Sequence, residues 1–81
     1  MWKYTMEVKG MRCGMCEAHM NEAIRRDFKV KKVTSSHTKN ETVIISEDEL
    51  DEQALKATVT AQGYDAGPIT KAPHKKWFLF G

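Results

Sequence analysis

The sequence predicts a single α+β domain with the element order βαββαβ. Three observations predict it: a polar and apolar alternation at the N-terminus, a helical apolar stripe directly after it, and a second helix with its own start and stop signals. A chain of 81 residues has room for one compact domain with a small core. Hydrophobic residues make up 41% and charged residues 30%, which is typical of a folded domain and not of a disordered tail.

The first strand and the first helix follow each other closely. Apolar side chains occupy every second position at the N-terminus, as in a half-buried strand; they are Trp2, Tyr4, Met6 and Val8. Gly10 ends this strand. From about residue 15 the apolar spacing becomes that of one helix face, formed by Cys16, Met20, Ala23, Ile24 and Phe28.

A pair of strands is predicted next. Residues 30–37 are rich in β-branched and small side chains, and residues 41–46 contain the run Val43, Ile44 and Ile45. Residues 38–40 form the connecting turn, because the Asn at its end tolerates a positive φ.

The second helix carries its own boundary signals. Asp51 is a good N-cap residue, and Leu50 and Leu55 occupy the positions of a hydrophobic staple. Gly63 supplies the C-terminal stop.

A last strand over residues 64–70 completes the pattern, and Pro68 restricts it to a sheet edge because proline cannot donate to the ladder. The six elements match the ferredoxin-like motif, a four-stranded antiparallel sheet with two helices on one face. The domain is therefore predicted to span residues 1–70. A C-terminal tail, residues 71–81, follows, and we expect its apolar residues 77–80 to pack on the sheet or to self-associate. Binding of a partner or of an anionic membrane surface is the alternative for this tail.

Charge and hydropathy argue against several classes of function. The net charge is only +2, and no concentrated basic stripe is present, so we expect no nucleic-acid ligand. No apolar run reaches the roughly 18 residues that span a bilayer, and the alternating N-terminus does not resemble a signal peptide. We therefore expect a cytoplasmic protein without firm membrane association. An enzyme is not expected, since His37 and His74 have no paired nucleophile or carboxylate that the sequence can justify.

The two cysteines, Cys13 and Cys16, are the candidate functional residues. At this spacing they could close a small disulfide ring, act as a redox couple, or hold one metal ion. They lie where the first strand leads into the first helix, so the helix N-terminus and the nearby Arg12 should stabilise thiolates. A thioredoxin-like redox enzyme normally needs about 100 residues and a cis-proline opposite the cysteines, which disfavours the redox reading.

The run Gly10-Met11-Arg12-Cys13-Gly14-Met15-Cys16 resembles the Gly-Met-x-Cys-x-x-Cys signature of heavy-metal-associated domains. The resemblance covers residues 2 to about 70. That family includes copper chaperones, N-terminal domains of metal-transporting P-type ATPases, and mercury-binding proteins. The resemblance implies that both cysteines ligate the ion, that Met11 lies buried beneath the loop, and that Tyr64 lies near the metal. Arg12 stands where the family usually has Thr or Ser.

The choice of ion depends on the ligand set. Two thiolates alone suit Cu(I) or Hg(II), whereas structural zinc takes four ligands. As a third ligand, His19 would favour Zn(II) or Cd(II), because it lies within one helical turn of Cys16. Histidines on a helix surface, however, are more often solvated than bound to a metal. Met15 offers a soft thioether, yet in this position it is expected to face a partner.

The predicted function is therefore soft-metal binding and transfer. A Cu(I) chaperone would deliver its ion by thiolate exchange to a P-type ATPase or another metal acceptor, and a metal-bridged homodimer is a further expectation of such a site. A mercury, cadmium or zinc module for detoxification or sensing is the alternative. A small thiol-disulfide redox protein ranks below both.

Overall fold

The computed structural model describes residues 1–74 and confirms the predicted element order. The elements are β1 (Trp2–Lys9), α1 (Gly14–Asp27), β2 (Lys32–Ser36), β3 (Glu41–Ser46), α2 (Glu52–Ala61) and β4 (Asp65–Pro73). The predicted apolar patch at residues 77–80 lies outside the described residues. Within residues 1–74, neither helix combines the length and hydropathy that crossing a bilayer requires.

The four strands form one antiparallel sheet in the order β2-β3-β1-β4, which confirms the ferredoxin-like architecture. β1 lies in the interior of the sheet, so its alternating apolar side chains reach the core, and Tyr4, Met6 and Val8 are fully buried. Helix residues Met20, Ile24, Leu55 and Val59 complete this core. β4 is an edge strand, as Pro68 predicts.

The last strand is longer than predicted. It was expected to end at residue 70, but it pairs with β1 as far as Pro73 opposite Trp2. Lys71 makes this extension favourable, because its ammonium lies 4.3 Å from the centroid of the Trp2 ring and pairs with Glu49. Residues 71–73 therefore belong to the sheet, so this part of the predicted tail is structured.

Local signals set the helix and turn boundaries as expected. The Asp51 carboxylate accepts the main-chain N–H groups of Gln53 at 2.9 Å and Ala54 at 3.4 Å, which caps α2. Asn40 adopts a φ of 55° in the β2–β3 turn, and Gly63 adopts a φ of 90° beyond α2. The Asn40 carbonyl also accepts the Val8 N–H at 2.9 Å, so the β2–β3 turn is fixed to the end of β1.

Candidate metal centre

Two contacts hold the loop between β1 and α1: Met11 packs into the core, and Gly10 packs against Tyr64. Met11 is only 5% exposed and joins the hydrophobic core, which confirms the supporting position that the resemblance implies. Gly10 has a φ of 109°, and a Cβ there would lie 3.2 Å from the Tyr64 ring. Glycine is therefore required both by the backbone conformation and by the close approach of the tyrosine.

The two cysteines are free thiols in different environments. Cys13 is exposed and is the N-cap residue of α1, with an extended backbone. Cys16 lies in the first turn of the helix, is half-buried and packs against the core. The predicted asymmetry, one sheltered and one exposed sulfur, is confirmed.

Hydrogen bonds stabilise the thiolate of Cys16. They lower its pKa from 9.0 to about 7, with the main-chain N–H of Arg12 as the largest cause and the Tyr64 hydroxyl as the next; partial burial opposes them. Arg12 was expected to act through its positive charge, but it acts through its backbone. The loop conformation, which directs this amide at the sulfur, therefore matters more here than the guanidinium.

Tyr64 is the aromatic neighbour of the sulfur pair. It follows Gly63 at the junction of α2 and β4, is half-buried, and directs its hydroxyl to Cys16. The same contact raises the pKa of Tyr64, chiefly because the hydroxyl must keep its proton to donate to the Cys16 sulfur, and also because of burial and of charge repulsion from the thiolate. The predicted position of Tyr64 beside the sulfurs is confirmed.

The thiol of Cys16 is expected to ionise with a midpoint near pH 7. The thiolate is favoured in the folded state, so this group stabilises the fold above pH 9.0 and its contribution is lost as the pH falls through about 7. Ultraviolet absorbance of the metal-free Cys13→Ser variant, which isolates Cys16, measures the midpoint. Tyr64→Phe added to it should move the midpoint upward, because one donor to the sulfur is removed; an unchanged midpoint would contradict this assignment.

The predicted third ligands do not join the cysteines in a metal-binding group within the described residues. His19 is exposed on α1 and lines a shallow groove of about 250 Å³ with Glu22 and Arg26. Within residues 1–74, no three side chains of His, Cys, Asp or Glu come together as a metal-binding group. Met15 is 68% exposed, as expected for a partner-facing side chain. In the described part of the chain, the pair of thiols thus stands without a further His, Cys, Asp or Glu side chain grouped with it.

The sequence analysis missed one polar contact beside the site. His37 was expected to have no paired carboxylate, but Glu17 accepts hydrogen bonds from its main-chain N–H at 2.7 Å and from its ring Nδ1 at 2.6 Å. The main-chain bond is the largest cause that lowers the pKa of Glu17. Strand alternation could have revealed the contact, because His37 continues the inward series of Val33 and Ser35 towards α1.

Comparison with known proteins identifies the fold. No family model matches the sequence, and no curated protein matches it. Among solved structures, a copper-binding domain from HMA7, a P-type ATPase, shares 22% identity with a TM-score of 0.74, covering 83% of this chain and 92% of that domain. The CopZ metallochaperone shares 21% identity with a TM-score of 0.74, covering 80% of this chain and 98% of that one.

A third similar structure is the N-terminal domain of ZntA in its Zn(II) form, with 20% identity and a TM-score of 0.73, covering 82% of this chain and 89% of that domain. At these identities the likeness establishes the architecture alone. The chain has the fold of heavy-metal-associated domains, which confirms the resemblance drawn from the cysteine loop at the level of the fold.

Proposed function

We propose that this chain binds a soft d¹⁰ metal ion, preferentially Cu(I), through Cys13 and Cys16, and that it passes the ion to a partner protein. The observation that carries the proposal is the sulfur pair itself. One thiol, in the first turn of α1, is half-buried with a pKa of about 7, and the other is exposed at the N-cap of the same helix. Thiolates are the ligands that soft ions prefer, and a thiol with a lowered pKa gives up its proton readily to a metal.

The number of ligands favours copper over zinc. Cu(I) is stable with two sulfur ligands, whereas structural Zn(II) takes four and Cd(II) has similar needs. His19, the candidate third ligand, is exposed on α1. Because the ATPase domain is described as copper-binding and the ZntA domain was solved in a Zn(II) form, the fold is compatible with either metal. The donor set is therefore the argument for Cu(I), and Hg(II) is the ion that would compete best.

Transfer follows from the asymmetry of the two sulfurs. Exposed Cys13 can leave the ion first, while half-buried Cys16 keeps it until a thiolate of the partner has replaced Cys13. The second exchange then releases Cys16. No electron is transferred and no covalent bond of a substrate is broken, so the role is not enzymatic.

The proposed partner is a metal-transporting P-type ATPase or another acceptor with an exposed pair of thiols, because this exchange requires matched soft ligands. The proposed location is the cytoplasm, whose reducing environment keeps the two cysteines as thiols. A second copy of the chain could supply the incoming sulfurs, which would give a metal-bridged homodimer at high protein concentration.

The test is a competition titration of the fully reduced protein with Cu(I), Hg(II), Zn(II) and Cd(II). We expect one Cu(I) per monomer, sulfur-to-metal charge-transfer absorbance, and little response to zinc. Tight zinc binding that is lost in His19→Ala would overturn the copper assignment. A Cys-x-x-Cys thiol with a pKa near 7 also suits disulfide exchange. Steady disulfide-reductase turnover without metal would therefore replace the proposal with a redox function.

A further inference from the structure

Glu17 and His37 join the first turn of α1, beside the cysteine loop, to the β2–β3 turn at the same end of the sheet. Glu17 directly follows Cys16 in the first turn of α1, and His37 begins the β2–β3 turn, 20 residues further along the chain. One carboxylate oxygen accepts two hydrogen bonds from the same residue, at 2.7 Å from the main-chain N–H and 2.6 Å from the ring Nδ1. A carboxylate can only accept, so Nδ1 of His37 carries the proton. We call this contact the Glu17–His37 clasp.

The first turn of α1 is weak without outside support. Its N-cap residue, Cys13, makes no capping hydrogen bond through its side chain. Its first helical residue is Gly14, and glycine is the poorest helix former after proline. A Cβ placed on Gly14 would find nothing within 4 Å, and Met15 is 68% exposed, so neither residue packs firmly. The turn must be held by Cys16 and Glu17.

The clasp is well placed to supply that support. Deeper in α1, Asn21 is already tied to the sheet by the Ser35 hydroxyl, which donates to it at 2.7 Å, and Met20 is fully buried. At the other end of the clasp, the β2–β3 turn is itself fixed to β1 through the bond from Val8 to the Asn40 carbonyl. The clasp therefore connects the helical turn that carries Cys16 to a β2–β3 turn that is itself hydrogen-bonded to β1.

We propose that His37, acting through Glu17, is a positioning residue of the metal site, which fixes the first turn of α1 so that the Cys16 sulfur keeps its direction when Cys13 exchanges. The inference rests on the proposed function and deepens it. A ligand whose helical turn is already fixed loses less conformational freedom on binding, so the loaded site holds its ion longer. Groups that orient metal ligands commonly change affinity by roughly 10- to 100-fold.

The experiment compares three variants of the full chain. His37→Ala removes the ring but keeps the main-chain N–H, whereas His37→Asn places an amide donor close to the former Nδ1 position. His19→Ala is the matched control, since it removes an exposed histidine of α1 outside the clasp. Amide hydrogen exchange of residues 15–17 is measured on the metal-free protein. The rate of Cu(I) loss to a strong chelator is then measured on the loaded protein, and thermal melts verify folding.

In His37→Ala we expect faster amide exchange in the first turn and about tenfold faster Cu(I) loss, the lower end of the range because the clasp is partly exposed. His37→Asn should bring both the amide exchange and the Cu(I) loss most of the way back to the wild-type rates. His19→Ala should change neither rate. Unchanged Cu(I) loss in His37→Ala, or equal losses in His37→Ala and His37→Asn, would overturn the positioning role. Failure of the wild-type chain to bind any soft ion would overturn the proposed function instead, and the amide exchange would still decide whether the clasp orders the turn.

Discussion

Replacement of Cys16 by serine is expected to lower Cu(I) affinity by at least about a hundredfold, because loss of a ligand costs more than loss of a group that merely orients one. A serine hydroxyl is a hard, protonated donor at neutral pH and cannot replace a soft thiolate. Cys16 is also the sulfur that packs against the core and receives the Arg12 and Tyr64 hydrogen bonds. Its loss therefore leaves only the exposed sulfur of Cys13.

Cys13→Ser should likewise abolish tight monomeric binding, but for a different reason. The remaining Cys16 thiolate is still formed near neutral pH, so this variant should keep weak binding and form metal-bridged dimers more readily than Cys16→Ser. Chelator competition measures the affinities, and sedimentation at two protein concentrations detects the dimers. Met15→Ala is the control, because it changes an exposed residue between the two cysteines in α1 and leaves both sulfurs. Affinities within about threefold of wild type in either serine variant would contradict ligation by that cysteine.

Most of the fold could be predicted because its signals are local. The alternation of β1, the Asp51 cap and the positive φ of Asn40 each depend on a few neighbouring residues, and each was confirmed. The edge position of β4 followed from Pro68 alone. These elements leave few ways to connect six segments of this length, so the four-stranded antiparallel sheet with two helices followed as well.

The errors concern contacts between residues that are distant in sequence. The extension of β4 to Pro73 depends on contacts of Lys71 with Trp2 and Glu49, which no local pattern reveals. The Glu17–His37 clasp forms only once α1 lies against β2. The influence of Arg12 on Cys16 was predicted in direction but not in cause, because a side-chain charge is visible in a sequence and the direction of a backbone amide is not.

The division between fold and loop explains why a candidate site could be predicted more readily than its ion. The scaffold brings a half-buried sulfur, an exposed sulfur and a tyrosine to one end of the sheet, and structures with this architecture are described with copper or with zinc. A fold does not determine a function by itself. The number and kind of ligands must make the choice, which is why the copper proposal depends on Cys13 and Cys16.

The stability of the site should depend strongly on the core beneath α1. Met20 lies one turn after Cys16 and is fully buried, so Met20→Ala is expected to lower the free energy of unfolding by about 2–5 kcal/mol. The cost combines lost apolar burial with the cavity that remains. Urea denaturation of the metal-free protein measures it, with unchanged slope if the unfolding remains two-state.

Met15→Ala provides the matched comparison, since it removes the same side chain from the same helix at a position that is 68% exposed. Its free energy of unfolding should change by less than about 0.5 kcal/mol, because surface substitutions away from special features have small effects. Bound Cu(I) should restore much of the stability that Met20→Ala loses, since a ligand that binds only the folded state stabilises it by mass action. Equal destabilisation by the two substitutions would contradict the packing of α1 on the sheet, and a failure of Cu(I) to stabilise Met20→Ala would show that its site no longer forms.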